Sequence, residues 1–273
     1  MEQKQVSNRL LKNISMKYLE ELNNLSYAEK KLVSSEQRKK NPHLDKLAAQ
    51  VDQSRLRMMR TSRNLQEMAE LLERPSVMKE ECDIVQLAEE VCEEVGDLAE
   101  YRGVRVRFFS AQSSHTCLIH AEHIRHVCYQ LISNAMKFTP MGGDVRMTLN
   151  FPRHPDTVEL SVIDTGCGME QKQLSKLFNY AEEEEDAHNF FGTEGGLGLA
   201  LCQKIAEVHG GSMSVESTLG KGSKFTLSFP EQNSHIKTFR QRNFYTPEGG
   251  INPALLFLSD ALPADAFRID NQL

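Results

Sequence analysis

The segment YQLISNAMKFTPMGG, residues 129–143, closes a helix-patterned stretch that runs from about Ala121 to Lys137. Gln130, Asn134 and Lys137 recur at steps of four and three, so they share one helix face. Lys137 offers that face a positive charge suited to phosphate. Three glycine-rich segments follow in order: DTGCGM at 164–169, EGGLGLAL at 194–201 and GKGSKFTLSF at 220–229. Gly166 and Gly168 let backbone approach a ligand closely. Gly195, Gly196 and Gly198 precede or open a helix over about 197–209, with Leu199 in its first turn, and the free N–H groups and dipole of a helix start favour phosphate oxygens. Gly220 and Gly222 shape a loop beside the Ser223 hydroxyl, and Asp164 presents a fixed hydrogen-bond acceptor. Each glycine alone reads as a tight turn; four spaced motifs in this order read as one pocket.

Working outward, Asp83 with Gln86 predicts a capping box for a helix to about Tyr101. VRVRF (104–108) alternates as a strand, and TCLI (116–119) is a second short one. DVRMTLN (144–150) and TVELSVID (157–164) form a hairpin-like pair. A short helix is expected at 170–178, and SMSVES and SKFTLSF form a last strand pair. Helices mixed with antiparallel strand pairs predict an α+β fold, a two-layer sandwich over 80–230.

Upstream, residues 6–73 read as two long helices joined by SSEQRKKNP. In the second, Leu44, Leu47, Val51, Ser54, Met58, Thr61, Leu65, Met68 and Leu72 follow alternating steps of three and four, a heptad seam. Leu11, Ile14, Tyr18, Leu22, Leu25, Ala28 and Leu32 give the first helix nearly the same rhythm. Asn41 is placed to cap the second helix and Pro42 fits its first turn. A lone pair of such helices buries little surface, so 1–75 is expected to be an antiparallel hairpin that dimerises into a four-helix bundle. The alternative is a hairpin packed against the next domain. The tail 231–273 has no sustained period and one apolar run, ALLFL at 254–258.

Bulk properties bound the rest. The 273 residues are 40% hydrophobic and 26% charged, with net charge −6, which gives no case for nucleic acid or an anionic membrane. No run of 18 apolar residues predicts direct membrane insertion, and the N-terminus lacks an apolar signal core. The expected location is cytoplasmic. Six cysteines without a C-x-x-C pair read as small apolar residues in a reducing compartment. His120, His123 and His126, spaced by three, read as helix surface sooner than as a metal site.

The four motifs resemble the N box and three glycine boxes of sensor histidine kinases and related ATPases, and LFNYAEEEEDAHNFF lies where that family has its F box and ATP lid. The resemblance covers about 150 residues. It implies ATP and Mg as ligands. Asn134, with Gln130 beside it, would hold Mg through an amide oxygen, a hard donor; Asp164 would read the adenine amino group; Lys137, Gly166, Gly168, Gly195, Gly196, Gly198, Leu199, Gly222 and Ser223 would complete the nucleotide site. The five acids at 182–186 read as a solvated loop, or as a lid that repels ATP until neutralised.

Two departures matter. Sensor kinases carry a phosphoacceptor histidine on the first hairpin helix, in a segment resembling S-H-E-L-R-T-P-L. Here NIS precedes Met16, a thioether that cannot accept a phosphoryl group through nitrogen, and Lys17 stands where an acid would. His43, at the hairpin turn, is poorly placed to substitute. Where chaperone and gyrase relatives have a glutamate base, this chain has Gln130, which has no basic oxygen, so a hydrolytic ATPase is disfavoured. Two readings remain. One is a histidine-kinase-like phosphotransferase of a two-component system acting on a partner residue. The other is a pseudokinase, an ATP-gated module that pairs as a homodimer, with an intact histidine kinase, or with a response regulator.

Overall fold

A computed structural model describes residues 2–152, 156–174, 177, 196–231 and 251–268. The chain divides into two compact units, Arg74–Tyr245 and a helical unit of Met1–Glu73 with Thr246–Leu273.

The helical unit holds α1 (Glu2–Leu32), α2 (Ser35–Lys40) and α3 (Pro42–Glu73). SSEQRKKNP is therefore more than a turn. Ser34 and Gln37 close a capping box that starts α2, and Asn41 Oδ1 accepts the N–H groups of His43 and Leu44 to start α3. Lys12 pairs with Glu70 at 2.8 Å, while Glu29 sits near Asp52 and Arg55, so α1 and α3 run in opposite directions. Burial and the Asp52 charge hold the Glu29 carboxyl above its ordinary range, against Arg55, Arg38 and Lys30.

Apart from Leu22, the two helices meet through little of their heptad seams. Ser15 and Leu22 of α1 and Ala48, Asp52, Arg55, Leu56 and Met59 of α3 are buried. The seam residues Leu47, Val51 and Met58 stay 48%, 45% and 49% exposed, and Leu11, Ile14, Tyr18 and Leu25 are exposed too. Among the described residues much of both apolar stripes is left exposed.

The tail run ALLFL begins α8 (Pro253–Phe257), capped by Asn252, and a 3-10 turn follows at Ala264–Phe267. Both pack on α3. Arg38 lies at the centre: its guanidinium binds Asp45 and Asp52 at 2.9 Å each and the Phe267 carbonyl at 3.1 Å. Arg268 reaches the other Asp45 oxygen at 2.9 Å. Gln53 donates to the carbonyls of Ser259 and Leu262, and Arg60 pairs with Asp260. Leu256, Leu258 and Phe267 are buried there.

The other unit runs β1 (Glu80–Asp83), α4 (Ile84–Glu100), β2 (Arg105–Ser110), β3 (Thr116–Ile119), α5 (Ala121–Phe138), β4 (Asp144–Asn150), β5 (Thr157–Asp164), α6 (Gln171–Leu174), α7 (Gly196–Val208), β6 (Ser212–Thr218) and β7 (Gly222–Pro230). Five strands pair in the order β2-β4-β5-β7-β6, and β1 pairs with β3 in a separate ribbon. Only the β2–β4 pair is parallel, with β3 and α5 in the connection it requires. The register stacks Phe108, Met147, Val162, Phe225 and Val215 across one face, and Leu149, Leu160, Leu227 and Met213 in the next row. The helices α4, α5 and α7 cover the sheet, and Arg107, Arg146, Lys224 and Glu216 alternate onto the opposite face. This is an α+β arrangement of two layers. Fully buried Ile124, Leu131, Ile132 and Met136 fix α5 to the sheet; each such side chain stabilises by about 1.5–3 kcal/mol.

Asp83 does cap α4, but the box with Gln86 does not close. Asp83 Oδ1 accepts the N–H groups of Val85 and Gln86, whereas the Gln86 side chain turns along the helix to Glu90 at 3.0 Å. The second Asp83 oxygen is taken by the Ser114 hydroxyl, and the His115 N–H adds a further bond.

Candidate nucleotide site

Gln130, Asn134 and Lys137 lie on α5. Gln130 is buried, and its Nε2 donates to Asn134 Oδ1 at 3.4 Å across one turn. The first turn of α7 presses on the same side chain: a Cβ on Gly198 would overlap the Gln130 amide, with Oε1 at 2.7 Å. A side chain at Gly198 would push the Gln130 amide aside. Gly196 and Leu199 are buried in that first turn. Lys137 Nζ lies 5.7 Å from the centre of the exposed Phe138 ring. Gly195 and the acids at 182–186 lie outside the described residues.

At the end of β5, Asp164 is buried and its Oδ1 accepts two backbone N–H groups, from Gly166 at 2.8 Å and Ser223 at 3.2 Å. Burial raises its pKa, and those two hydrogen bonds oppose the rise. Oδ2 has no hydrogen-bond partner among the described residues. The third glycine loop folds against this carboxylate. Gly222 has φ +95°, and a Cβ there would run into the Asp164 carbonyl oxygen. Gly220 donates its N–H to the Cys167 carbonyl at 2.7 Å, and Cys167 donates to the Phe138 carbonyl at 3.3 Å. These bonds join the DTGCGM loop, with Gly166 and Gly168, to both the end of α5 and the β6–β7 loop.

Ser223 contributes its backbone to Asp164, and its hydroxyl meets the Ser217 hydroxyl at 3.0 Å. Ser217, read from sequence only as part of a strand, organises the loop: its hydroxyl donates to the Gly222 carbonyl at 2.9 Å and accepts the Met169 N–H at 2.9 Å. Arg102 was also invisible as a site residue. Its guanidinium takes the Met136 and Lys137 carbonyls at 3.4 and 3.0 Å, satisfying orphan acceptors at the end of α5. Neither residue has a signal beyond its own polarity, because the Met169 N–H that Ser217 accepts and the carbonyls that Arg102 takes are backbone groups distant in sequence.

The histidine triplet does other work. His120 is the N-cap of α5, its Nδ1 accepting the His123 N–H at 3.3 Å. Among the described residues no three His, Cys, Asp or Glu side chains gather to hold a metal. The six cysteines carry free thiols, and burial pushes those of Cys82, Cys92 and Cys117 up to about 12. No described helix is long and apolar enough to cross a membrane.

Comparison with known proteins agrees with this geometry. Residues 119–233 match the family of histidine kinase-, DNA gyrase B-, and HSP90-like ATPases. The circadian input-output histidine kinase CikA of Synechocystis is 38% identical over 112 residues, which is 41% of this chain and 15% of that protein. The adaptive-response sensory kinase SasA of Crocosphaera subtropica is 33% identical over 156 residues, 56% of this chain and 40% of that protein. The chain therefore spans less than half the length of these relatives. Full-length ShkA, solved in complex with AMPPNP, aligns over 83% of this chain and 46% of its own, with a TM-score of 0.60 and 21% identity, a likeness of fold. Residues 119–233 are thus an ATPase-type domain similar to that of histidine kinases.

Proposed function

We propose that residues 80–230 bind Mg-ATP and that the chain is a histidine-kinase-like phosphotransferase acting on a partner residue. The observation that carries this reading is the Asp164 cradle. One carboxylate oxygen is held by Gly166 and Ser223, and the other has no partner among the described residues, as an acceptor for an exocyclic amine requires. Asn134 and Gln130, under the first turn of α7, are the residues that would hold Mg. Both present amide oxygens, which suit that ion. Gln130 is the less apt of the two, because Gly198 confines it and its N–H already points at Asn134. Lys137, Gly196, Gly198 and Leu199 would face the phosphates. Bound Mg-ATP would supply the phosphoryl group. The chain's own residues position it and offset its charge, which is most of what such transfers need.

The hairpin supports association. The exposed stripe of Leu47, Val51 and Met58 with that of Leu11, Ile14, Tyr18 and Leu25 is the surface a four-helix dimer would bury, with a second copy or with an intact histidine kinase. A response regulator is the expected downstream partner. One observation favours a second reading, an ATP-gated module without transfer. Met16, where the family carries its acceptor, is 51% exposed and has no packing role that would explain a thioether.

The test is γ-labelled ATP with Mg, on wild type and Asn134→Ala, alone and in lysate. Label on this chain or a lysate protein, lost in Asn134→Ala, supports transfer, and its acid or base lability identifies the acceptor. Tight ATP binding with no label anywhere overturns the phosphotransferase and leaves the ATP-gated module.

A further inference from the structure

His209 follows α7, and both of its ring nitrogens are committed to backbone groups of fixed polarity. Nδ1 lies 2.8 Å from the Ile205 carbonyl oxygen, which only accepts, so Nδ1 carries a hydrogen. Nε2 lies 3.1 Å from the His120 backbone nitrogen, which only donates, so Nε2 is a bare lone pair. The ring is neutral, in one tautomer. His120 is the N-cap of α5, so this bond ties the start of α5 to the end of α7. The first turn of α7 meets α5 again at mid-helix, where Gly198 closes over Gln130. The start of α5 is thus fastened to the end of α7 by an imidazole, and the middle of α5 meets the start of α7 through the nucleotide motifs.

We propose that His209 is a proton-operated latch between α5 and α7. One proton taken up at Nε2 converts an acceptor into a donor. The His120 N–H then faces another N–H, and the start of α5 is released from the end of α7. The surroundings do not soften that conflict. His120 and His123 stack at 3.9 Å, and His123 meets His209 edge-on at 6.3 Å. The Lys79 ammonium, from the segment before β1, lies 3.4 Å from the His209 carbonyl, and Phe229 of β7 packs at 5.8 Å. On its own helix Glu207 is paired with Lys204, and Glu122 is the acid of the first turn of α5. Burial is the largest influence on the ring and lowers its pKa. The Ile205 bond opposes that, and Lys79 and His120 reinforce it. The latch therefore opens on the acid side of the ordinary imidazole range. Where the nucleotide reading holds and ATP favours the fastened helices, ATP and the proton oppose each other, and by reciprocity to the same extent.

The experiment uses the full chain without nucleotide. The His209 ring nitrogens and the His120 amide are followed by NMR and hydrogen exchange from about pH 7.5 to 5. The expected result is the Nδ1–H tautomer at neutral pH. His120 protection should then fall about tenfold more than that of Leu131 in mid-helix as the ring takes up its proton. His209→Gln, which keeps an acceptor and cannot titrate, should hold that protection flat. A ring that titrates without loss of His120 protection overturns the latch, as does protection that falls while the ring stays neutral. The wild-type data decide even where the variant does not fold. ATP affinity followed in parallel should fall with pH in wild type more than in His209→Gln. Absence of ATP binding at every pH would refute the nucleotide reading and leave the latch result standing.

Discussion

Gly222→Ala tests the Asp164 cradle most directly, because Gly220→Ala supplies its control two residues away. Both glycines have left-handed backbone, φ +95° and +78°. A side chain in that region costs about 1–2 kcal/mol wherever it is placed. The surroundings differ. At Gly220 an added Cβ meets nothing within 4 Å. At Gly222 it runs into the Asp164 carbonyl oxygen, with the carbonyl carbon at 2.8 Å and Thr165 Cα at 3.1 Å. Carbon contacts relax at roughly 3.5–4.0 Å, so the loop must retreat by about 1 Å. The Ser223 N–H sits 3.2 Å from Asp164 Oδ1 and does not survive that shift as a hydrogen bond. A bond to a charged group is worth about 1.5–3 kcal/mol. Added to the strain, Gly222→Ala costs about 3–5 kcal/mol, less than the stability of many domains. Calorimetric titration with an ATP analogue should show affinity lost by about a hundredfold or more in Gly222→Ala. Gly220→Ala should lose no more than about tenfold, with both variants folded by circular dichroism. Equal losses in the two would refute the collision argument. Retained affinity in Gly222→Ala would refute the cradle itself.

Asp164→Asn should abolish ATP binding yet raise the melting temperature of the nucleotide-free protein at neutral pH. Burial raises the Asp164 pKa, so its stabilising protonated form is fully present below the unfolded value and is lost as pH rises through the folded one. The gain should shrink toward pH ~3.8, and an unchanged difference between variant and wild type across that window would exclude it. Leu47→Asp with Met58→Asp should weaken self-association on the order of a hundredfold in sedimentation equilibrium without disturbing ATP affinity. A dimer of unchanged strength would remove the seam from the interface. Arg38→Ala leaves the buried carboxylates of Asp45 and Asp52 short of a partner. It should destabilise the helical unit by about 3 kcal/mol, the low end for a broken buried pair because Arg268 still holds Asp45. Chemical denaturation followed in the helical unit should show this as an earlier transition.

Much of the ATPase-type unit was legible because its signals are local. The strands β4 to β7 alternate, and α5 places Gln130, Asn134 and Lys137 on one face by helical period alone. What escaped depends on distant partners. EECD (80–83) has no alternation and becomes a strand only because TCLI pairs with it. Gln86 has a partner at Glu90 as good as the one a capping box offers, and sequence does not rank the two. The tail from 231 showed an apolar run but not that α2 and α3, some 200 positions earlier, offer Arg38 and Gln53 to its carbonyls. The heptad seam was legible as a stripe. Its orientation was not, since the chain buries Ser15, Leu22, Asp52, Arg55 and Leu56 and leaves most of the stripe outside.

The return of residues 251–268 to α3 also fixes an order of maturation. Roughly 180 residues separate the end of α3 from the segment that completes its polar core. At about 5–20 residues per second, the nascent helices wait on the order of 10–35 s for it, while the domain encoded between them has already emerged. A chain cut short in its last thirty or so residues would thus carry a finished nucleotide fold on an unfinished helical one. It would display Gln53 without the Ser259 and Leu262 carbonyls, and Arg38 without that of Phe267, to the proteases that survey new proteins.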